Sequence, residues 1–417
     1  MQADPITGAN HQVQEPLSYW HRTSEQVVLS TDLPSTVDVA VVGGGLLGAA
    51  TSYWLARSGV NTVLLDRSGI VYGATGRNGG FVSVGTAEGY PGAIERLGHE
   101  AARKIMTLTY ESQQLLRQVL AEEEIDCDYR EPGNLYLALS EDQHTAIARA
   151  VEALQREGFV VHLLDRAQTQ ELVDTPLGPE IVGGRFMPGQ GLLHSARLVQ
   201  GLVRAAQRHG AQLCRATVQR LEREGEGVLL HTSQGKVHAG AAVIAVNAWT
   251  GELLPVLEKY IVPVRGQMLA YAPIVPVFKT SMSTSATSTG EYWQQTVDGS
   301  IVLGGCREVA PGRDVGIRVN QPTQEVQTAL EQLFPRLFPQ LKGLQIGQRW
   351  AGLMAFTPDY LPIADRVPDI PGAWFVGGFS GHGMVFGIKM GQLLASAATT
   401  GEAPAALRPL RLDRPTL

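Results

Sequence analysis

Three glycines in Gly43-Gly44-Gly45-Leu46-Leu47-Gly48 have the G-x-G-x-x-G spacing. Gly43 lets the chain turn tightly, Gly45 lets a pyrophosphate approach the backbone, and Gly48 lets a following helix pack closely on its strand. Unpaired N–H groups at the start of that helix then meet negative charge. Asp66 follows about 20 residues later, where a carboxylate can accept ribose hydroxyls. Two more glycine-dense stretches, Gly73-Ala74-Thr75-Gly76-Arg77-Asn78-Gly79-Gly80 and Gly377-Gly378-Phe379-Ser380-Gly381-His382-Gly383, allow backbone to approach a large flat ligand. Thr75, Arg77 and Asn78 carry donors suited to phosphate and ring oxygens. The first motif alone leaves NAD and FAD both open. A ligand that touches both ends of the chain favours FAD, with a helix N-terminus after the second stretch facing the pyrimidine edge of a flavin. A structural turn and irregular loops are the alternative readings of these segments.

The elements that must position these residues are legible. Val37 to Val42 reads as a strand buried on both faces, Leu46 to Arg57 as a helix stopped at Ser58-Gly59, and Asn61 to Leu65 as a second strand, together a βαβ unit. From about Pro91 the pattern changes. Ala93 to Glu124 reads as one long helical stretch, Asn134 to Leu139 as a strand and Glu141 to Glu157 as a helix, which predicts a second domain inserted in the first. Helix Ser195 to His209, a strand Gln212 to Val218 and the strand ending at Val246 return to α/β order, and Pro255 and Pro263 mark the next exit. Strands at Gly266 to Tyr271, Glu291 to Gln295 and Ser300 to Gly304, with a helix near Thr323 to Leu333, predict an antiparallel sheet covered by helices. Ala373 to Val376 is a buried strand and Met384 to Ala398 its helix. Thr280 to Thr289 is either a plain hairpin loop or a mobile lid.

The expected architecture is therefore an α/β Rossmann-like FAD-binding domain of the glutathione-reductase type, interleaved with an α+β substrate domain on an antiparallel sheet. The FAD domain takes residues 37–90, 186–254 and 346–402, and the substrate domain 91–185 and 255–345; 1–36 is an N-terminal extension and 403–417 a tail. In a chain of 417 residues, 44% hydrophobic residues, 18% charged residues and a formal charge of −6 describe an ordinary globular protein with no basic face for nucleic acid. Arg408, Arg411 and Arg414 read as a solvated end. Cys127, Cys214 and Cys306 fit neither a disulfide framework nor a metal site, and the expectation is a reducing compartment. Met1 to Glu15 lacks the basic start and apolar run of a secretory signal, and the apolar runs near Val37 to Ala50 and Ala239 to Trp249 fall short of the roughly 18 to 20 residues of a membrane span. A cytoplasmic enzyme of unstated oligomeric state follows.

These motifs, in this order, make the sequence resemble the D-amino acid oxidase, glycine oxidase and sarcosine oxidase family of FAD-dependent oxidoreductases. Gly191-Leu192-Leu193-His194, Val246-Asn247-Ala248-Trp249, Arg265-Gly266-Gln267, Trp350-Ala351-Gly352-Leu353 and Thr357-Pro358-Asp359 carry the resemblance between the glycine stretches, so it spans nearly the whole chain. Gly-Arg-Asn-Gly-Gly and the extension bearing Tyr19-Trp20 look most like the γ-glutamylputrescine oxidoreductase branch. The resemblance implies FAD at the domain interface. Its contacts would be Gly43, Gly45, Leu46, Leu47, Gly48, Asp66 and Arg67 at one end, and Ala74, Thr75, Arg77, Asn78, Gly79 and Gly80 in the loop. Val218, Ala248 and Trp249 would follow, with Gly378, Ser380, Gly381, His382, Gly383 and Met384 at the far end. Asp66 stands where many relatives have Glu. The cysteine or histidine that tethers flavin in some relatives has no counterpart here, which implies non-covalent FAD.

The resemblance also implies oxidation of a carbon–nitrogen bond. Tyr292 matches a pocket tyrosine, and Trp293, Gln267, Met354 and His382 are the other substrate-facing candidates; strand alternation makes one of Tyr292 and Trp293 core. Glycine-oxidase-like members carry arginine at the position of Met354, where it pairs with a substrate carboxylate. Arg77, Arg265 or Arg307 could substitute, and Met354 could instead be plain core. His382 could be an acid/base, an oxygen-activating charge or a hydrogen-bonding group without a chemical role. Lys279, Arg265 and His382 are candidates for the cation that assists oxygen. The expected reaction is oxidation of a primary or secondary amine to an imine, hydrolysed to aldehyde plus amine, with hydride passing to flavin N5 and oxygen as acceptor giving hydrogen peroxide. Oxidation of a small amino acid such as glycine, sarcosine or a D-amino acid is the alternative, and a non-catalytic flavin-binding subunit a third reading.

Overall fold

The computed structural model describes residues 15–417; the signal-like features sought at the start of the chain fall on residues 1–14 and lie outside the described residues. Two large sheets organise the molecule. The first runs, in order, Ile363–Arg366, Ala373–Gly377, Gly235–Ile244, Thr36–Val42, Thr62–Asp66 and Gln212–Arg215. Neighbours from Ala373–Gly377 onward are parallel, while Ile363–Arg366 pairs antiparallel at the edge. Alternate residues of its strands enter different cores. Val39, Val41 and Leu64 pack under the helices Leu46–Arg57, Ser195–Arg208 and Gly383–Thr400, whereas Ala40, Val42, Val63 and Leu65 join the opposite face. That double burial explains the apolar run Val39 to Val42, while Asp38 near the strand's start is exposed, so the strand is buried on both faces only from Val39 onward.

The second sheet runs Ile346–Phe356, Val262–Tyr271, Ile301–Gly304, Glu291–Gln295, Ser281–Thr284, Asn134–Ala138, Gly183–Met187 and His162–Asp165. All its pairs are antiparallel except Ser281–Thr284 with Asn134–Ala138. One face is sealed by the helix Gln324–Leu337, whose Phe334 packs with Phe278, Trp293 and Phe338 as edge-to-face or tilted aromatics. The opposite face is turned toward the first sheet.

Several sequence expectations change. Ile346–Phe356 pairs along Val262–Tyr271, so the chain rejoins the first sheet at Ile363 rather than at residue 346. Pro263 lies inside a strand instead of marking an exit. The single helix expected from Ala93 to Glu124 is two, Tyr90–Leu97 and His99–Glu122, because Gly98 takes a positive φ of 82° between them. Gln212 to Val218 divides into Gln212–Arg215 and the start of Val218–Glu224. Arg414 is buried: its guanidinium grips Asp359 at 2.6 and 2.8 Å and also donates to the carbonyls of Leu361 and Pro362. No helix of the described residues is long and apolar enough to cross a membrane.

Candidate active site

The loop after the first strand is built for close approach. Gly43 has φ of 114°, and a Cβ there would sit 2.6 Å from the Ala245 carbonyl oxygen, so only glycine fits. A Cβ at Gly48 would collide with the Gly43 carbonyl, which is the close packing the motif demands. Gly45 caps the helix Leu46–Arg57 without any side-chain acceptor, while Leu46 N–H donates to Thr75 Oγ1 at 3.1 Å and leaves that hydroxyl a proton to donate. Asp66 accepts from the N–H of Gly44, Ser68 and Gly69, each at 2.7 Å. Three of about four acceptor positions of its carboxylate are thus occupied by the loop, leaving one for a hydroxyl. Beside it Arg67 lies 5.2 Å over the Trp249 ring.

The loop Gly73 to Gly80 is pinned from outside by the N-terminal extension. Ser18 Oγ donates to the Gly76 carbonyl, and Trp20 Nε1 donates to that of Asn78 at 2.5 Å. Asn78 Nδ2 donates to the Thr75 carbonyl and its Oδ1 accepts from Gly80 N–H. Arg77 departs from expectation. Its buried guanidinium donates to the carbonyls of Tyr72, Pro16 and Ala351 at 2.9 to 3.0 Å and approaches Glu15 at 3.4 Å, so it braces the loop rather than offering donors to a ligand.

A continuous cavity of about 1180 Å³ joins these parts, larger than the roughly 300–1,000 Å³ of ordinary ligand pockets and sized for a dinucleotide plus a substrate. Asp66, Arg67, Val218 and Trp249 line one end, Gly43, Gly45, Leu46 and Leu47 the turn, and Ala74, Thr75, Arg77, Asn78 and Gly79 one flank. Gly381, His382, Gly383 and Met384 line the other end, with Tyr292 and Met354. Gly48, Gly80, Ala248 and Gly378 stand behind this wall, and Ser380 borders only a smaller adjoining cavity. The residues present fit FAD: an uncapped helix start and a ribose-side carboxylate lie at one end, and the start of the helix Gly383–Thr400 at the other.

At the far end, Tyr292 packs edge-to-face on Phe81, and burial pushes its hydroxyl pKa up to about 12. Burial holds His382 below the usual histidine range, against an opposing contact with the Ser83 backbone, and its Nε2 is buried without a hydrogen-bond partner among the described residues. Met354 lies against Gly266 and Gly381, open to both cavities. Trp293 faces the opposite side of its strand, fully buried among Phe278, Phe334 and Phe338, and is core. Gln267 is also redirected: its amide bonds Asp314 and Thr323, and it borders only the smaller cavity.

The cations divide in the same way. Arg265 forms a bidentate pair with Asp314 at 2.8 Å twice, and Lys279 is exposed beside Asp174 at 2.8 Å, so neither reaches the cavity. Arg307 borders the smaller cavity, lies over Phe356 and donates to the Arg313 carbonyl. Tyr136, Ser283 and Arg185 are among the cavity residues that escaped the sequence reading. No local signal marked them, since Ser283 falls in the segment read as a loop or lid, which forms the strand Ser281–Thr284, and their alignment comes from strand pairing across distant segments.

The family model for FAD dependent oxidoreductases matches residues 38–397. The chain is 26% identical to the Gamma-glutamylputrescine oxidoreductase of Escherichia coli over 368 residues, covering 86% of this chain and 83% of that one. It is 29% identical to the Glycine oxidase of Pseudomonas aeruginosa over 376 residues, covering 86% and 93%. Among solved structures, glycine oxidase from Geobacillus kaustophilus superposes with a TM-score of 0.79 at 22% identity, covering 91% of this chain and 99% of that one, a likeness of fold.

Proposed function

The chain belongs to the family of FAD-dependent oxidoreductases, and from that premise we propose that it oxidises a primary or secondary amine whose reacting carbon bears no carboxylate, giving an imine that water hydrolyses to aldehyde plus amine. One observation carries this reading. The residues shared by the two cavities include Tyr292, Met354, Gly381 and His382 but no arginine or lysine, and Arg307, which borders the smaller cavity beside Tyr292, is engaged by the Arg313 carbonyl and the Phe356 ring, which supports a reacting end without a dedicated partner for an α-carboxylate. Bringing a carboxylate there without a partner costs several kcal/mol. The chemistry that FAD would supply when bound is a two-electron acceptor for the hydride that leaves the substrate carbon, with the same two electrons then going to oxygen.

The chain's own residues orient the substrate and exclude water. His382, neutral at physiological pH, presents an unpartnered Nε2 that can accept an N–H from the substrate. Tyr292, protonated to about pH 12, offers a donor while its ring and Met354 close on the alkyl body. Hydrogen-bond reach of this kind is what fixes a C–H for transfer. All three cysteines are buried and none lines the cavity, which supports FAD held without a covalent bond.

Anaerobic flavin reduction scanned over polyamines, N-methyl amines and small amino acids tests the proposal. Amines should reduce the flavin at least about tenfold more efficiently than glycine, sarcosine or D-alanine, a difference of about 1.4 kcal/mol. Efficient reduction by a small amino acid with amines inert would overturn it. Denaturation should release the flavin to the supernatant; flavin precipitating with the chain would contradict non-covalent binding.

A further inference from the structure

The Arg185 side chain makes no hydrogen bond or ion pair among the described residues, although it lines the large cavity and its Nε is sealed from solvent without a partner. Its guanidinium carbon lies 5.4 Å from the centre of the Tyr136 ring, a cation–π contact. Burial lowers its pKa and Tyr136 only partly offsets this. The Arg185 side chain is only half-buried and opens on the cavity, so the guanidinium is held at an apolar wall short of both full hydration and a protein partner, a costly place for an unpaired cation. Arg77, Arg265 and Arg414 each find carbonyls or a carboxylate, which sets Arg185 apart.

The sheet register places Arg185 relative to the reacting end. Tyr292 pairs with Ser283, Ser283 with Tyr136, and Tyr136 with Arg185. Directly paired residues share a face, and all four line the cavity. Three strand spacings of about 4.8 Å put the backbones of Tyr292 and Arg185 roughly 14 Å apart along this row. The wall near Arg185 is apolar, with Ile147, Ala150 and Leu154 of the helix Glu141–Arg156 and Met187 of its own strand. On the same cavity the hydroxyls of Thr86 and Tyr90 are also buried without partners.

We propose that Arg185 binds a carboxylate at the distal end of the substrate, so that the amine oxidised here is an extended one whose acidic group lies on the order of 10 Å from the reacting carbon. The proposal rests on the amine-oxidation reading and names its substrate class. The guanidinium grips the carboxylate bidentately, the methylenes between lie along the apolar wall, and the amine reaches Tyr292 and His382. The selectivity is positional: a carboxylate on the reacting carbon meets Met354, whereas one at the far end meets Arg185.

The test compares ω-amino carboxylates of roughly four to ten carbons with uncharged amines of matched length. The ratio of kcat/KM between the two sets should peak for the longer acids in the unmodified enzyme. It should fall at least tenfold in Arg185→Gln, mainly through KM, and recover in part in Arg185→Lys. Binding of octanoate to the flavin-loaded protein, measured by calorimetry, should weaken at least tenfold in Arg185→Gln whether or not any amine is oxidised. Equal octanoate binding in the two proteins, or loss of the ratio in Arg307→Gln with Arg185→Gln unaffected, would overturn this assignment. Reduction by uncharged amines without preference for a distal acid sinks the Arg185 role alone. Failure of every amine to reduce the flavin sinks the amine-oxidation reading, and the octanoate result then decides Arg185.

Discussion

The indole N–H of Trp20 donates to the backbone oxygen of Asn78 at 2.5 Å, joining a helical turn of the N-terminal extension to the loop that flanks the cofactor cavity. Trp20 is 1% exposed and lines no part of that cavity itself. With Ser18 donating to Gly76, it holds from behind the backbone that must lie against the ligand. The extension is therefore part of the site's support.

Trp20→Phe keeps an aromatic ring but removes the hydrogen bond, worth about 1 kcal/mol net, and part of the buried indole volume. Affinity for FAD, measured by fluorescence titration of the apoprotein, should fall about fivefold or more, with a modest drop in melting temperature. Unchanged affinity would show that the extension packs on the loop without shaping it.

Met354→Arg introduces a guanidinium where the side chain passes between Gly266 and Gly381. A bidentate partner for an α-carboxylate then stands at the reacting end. The kcat/KM for glycine or sarcosine should rise relative to an uncharged amine by about tenfold. A ratio that stays put in a folded, flavin-loaded variant would remove Met354 from substrate selection.

His194 makes stability depend on pH. Its Nδ1 accepts from Arg197 N–H at the start of the helix Ser195–Arg208, and its Nε2 bonds Thr23 at 2.8 Å. Protonating Nδ1 would set two donors against each other. Burial first, then the nearby Arg197, lower its pKa to about 4. The unfolded chain takes up the proton near pH 6.5 and the folded one only near 4, so stability is complete above about 6.5 and falls as pH drops toward 4. The loss is on the order of 3 kcal/mol. Urea unfolding at pH 7.5 and pH 5 should show about 2 kcal/mol of it, and His194→Asn, which retains a helix cap, should reduce the difference, the remainder coming from His21, whose pKa burial also lowers to about 4.

Arg414→Ala leaves Asp359 buried without its bidentate partner, although Thr416 still donates to it. Removing one member of a buried pair costs about 3–5 kcal/mol. A large drop in melting temperature is expected, partly restored in the double variant Arg414→Met with Asp359→Asn, which leaves no buried charge. A small change in the single variant would mean that water reaches Asp359.

Local elements were legible because neighbours along the chain decide them. Leu46 to Arg57 is a helix with the bounds read from its glycine stop, and Glu291 to Gln295 is a strand over the residues read as one. The glycine spacing likewise determined a turn that only Gly43 can make. Which way side chains point, and to what, depended on pairings the sequence does not encode locally. Arg77 meets the Ala351 carbonyl across 274 residues, and Arg414 meets Asp359 from a tail that reads as solvated. Tyr292 and Trp293 exchange equal claims on the cavity until the helix Gln324–Leu337 covers one face of their sheet. The row from Tyr292 to Arg185 exists only through the register of four strands drawn from three separate parts of the chain. Backbone conformation is set by torsions and side-chain shape within a few residues, whereas a charge's partner is set by the free energy of burying it, which the whole fold must satisfy.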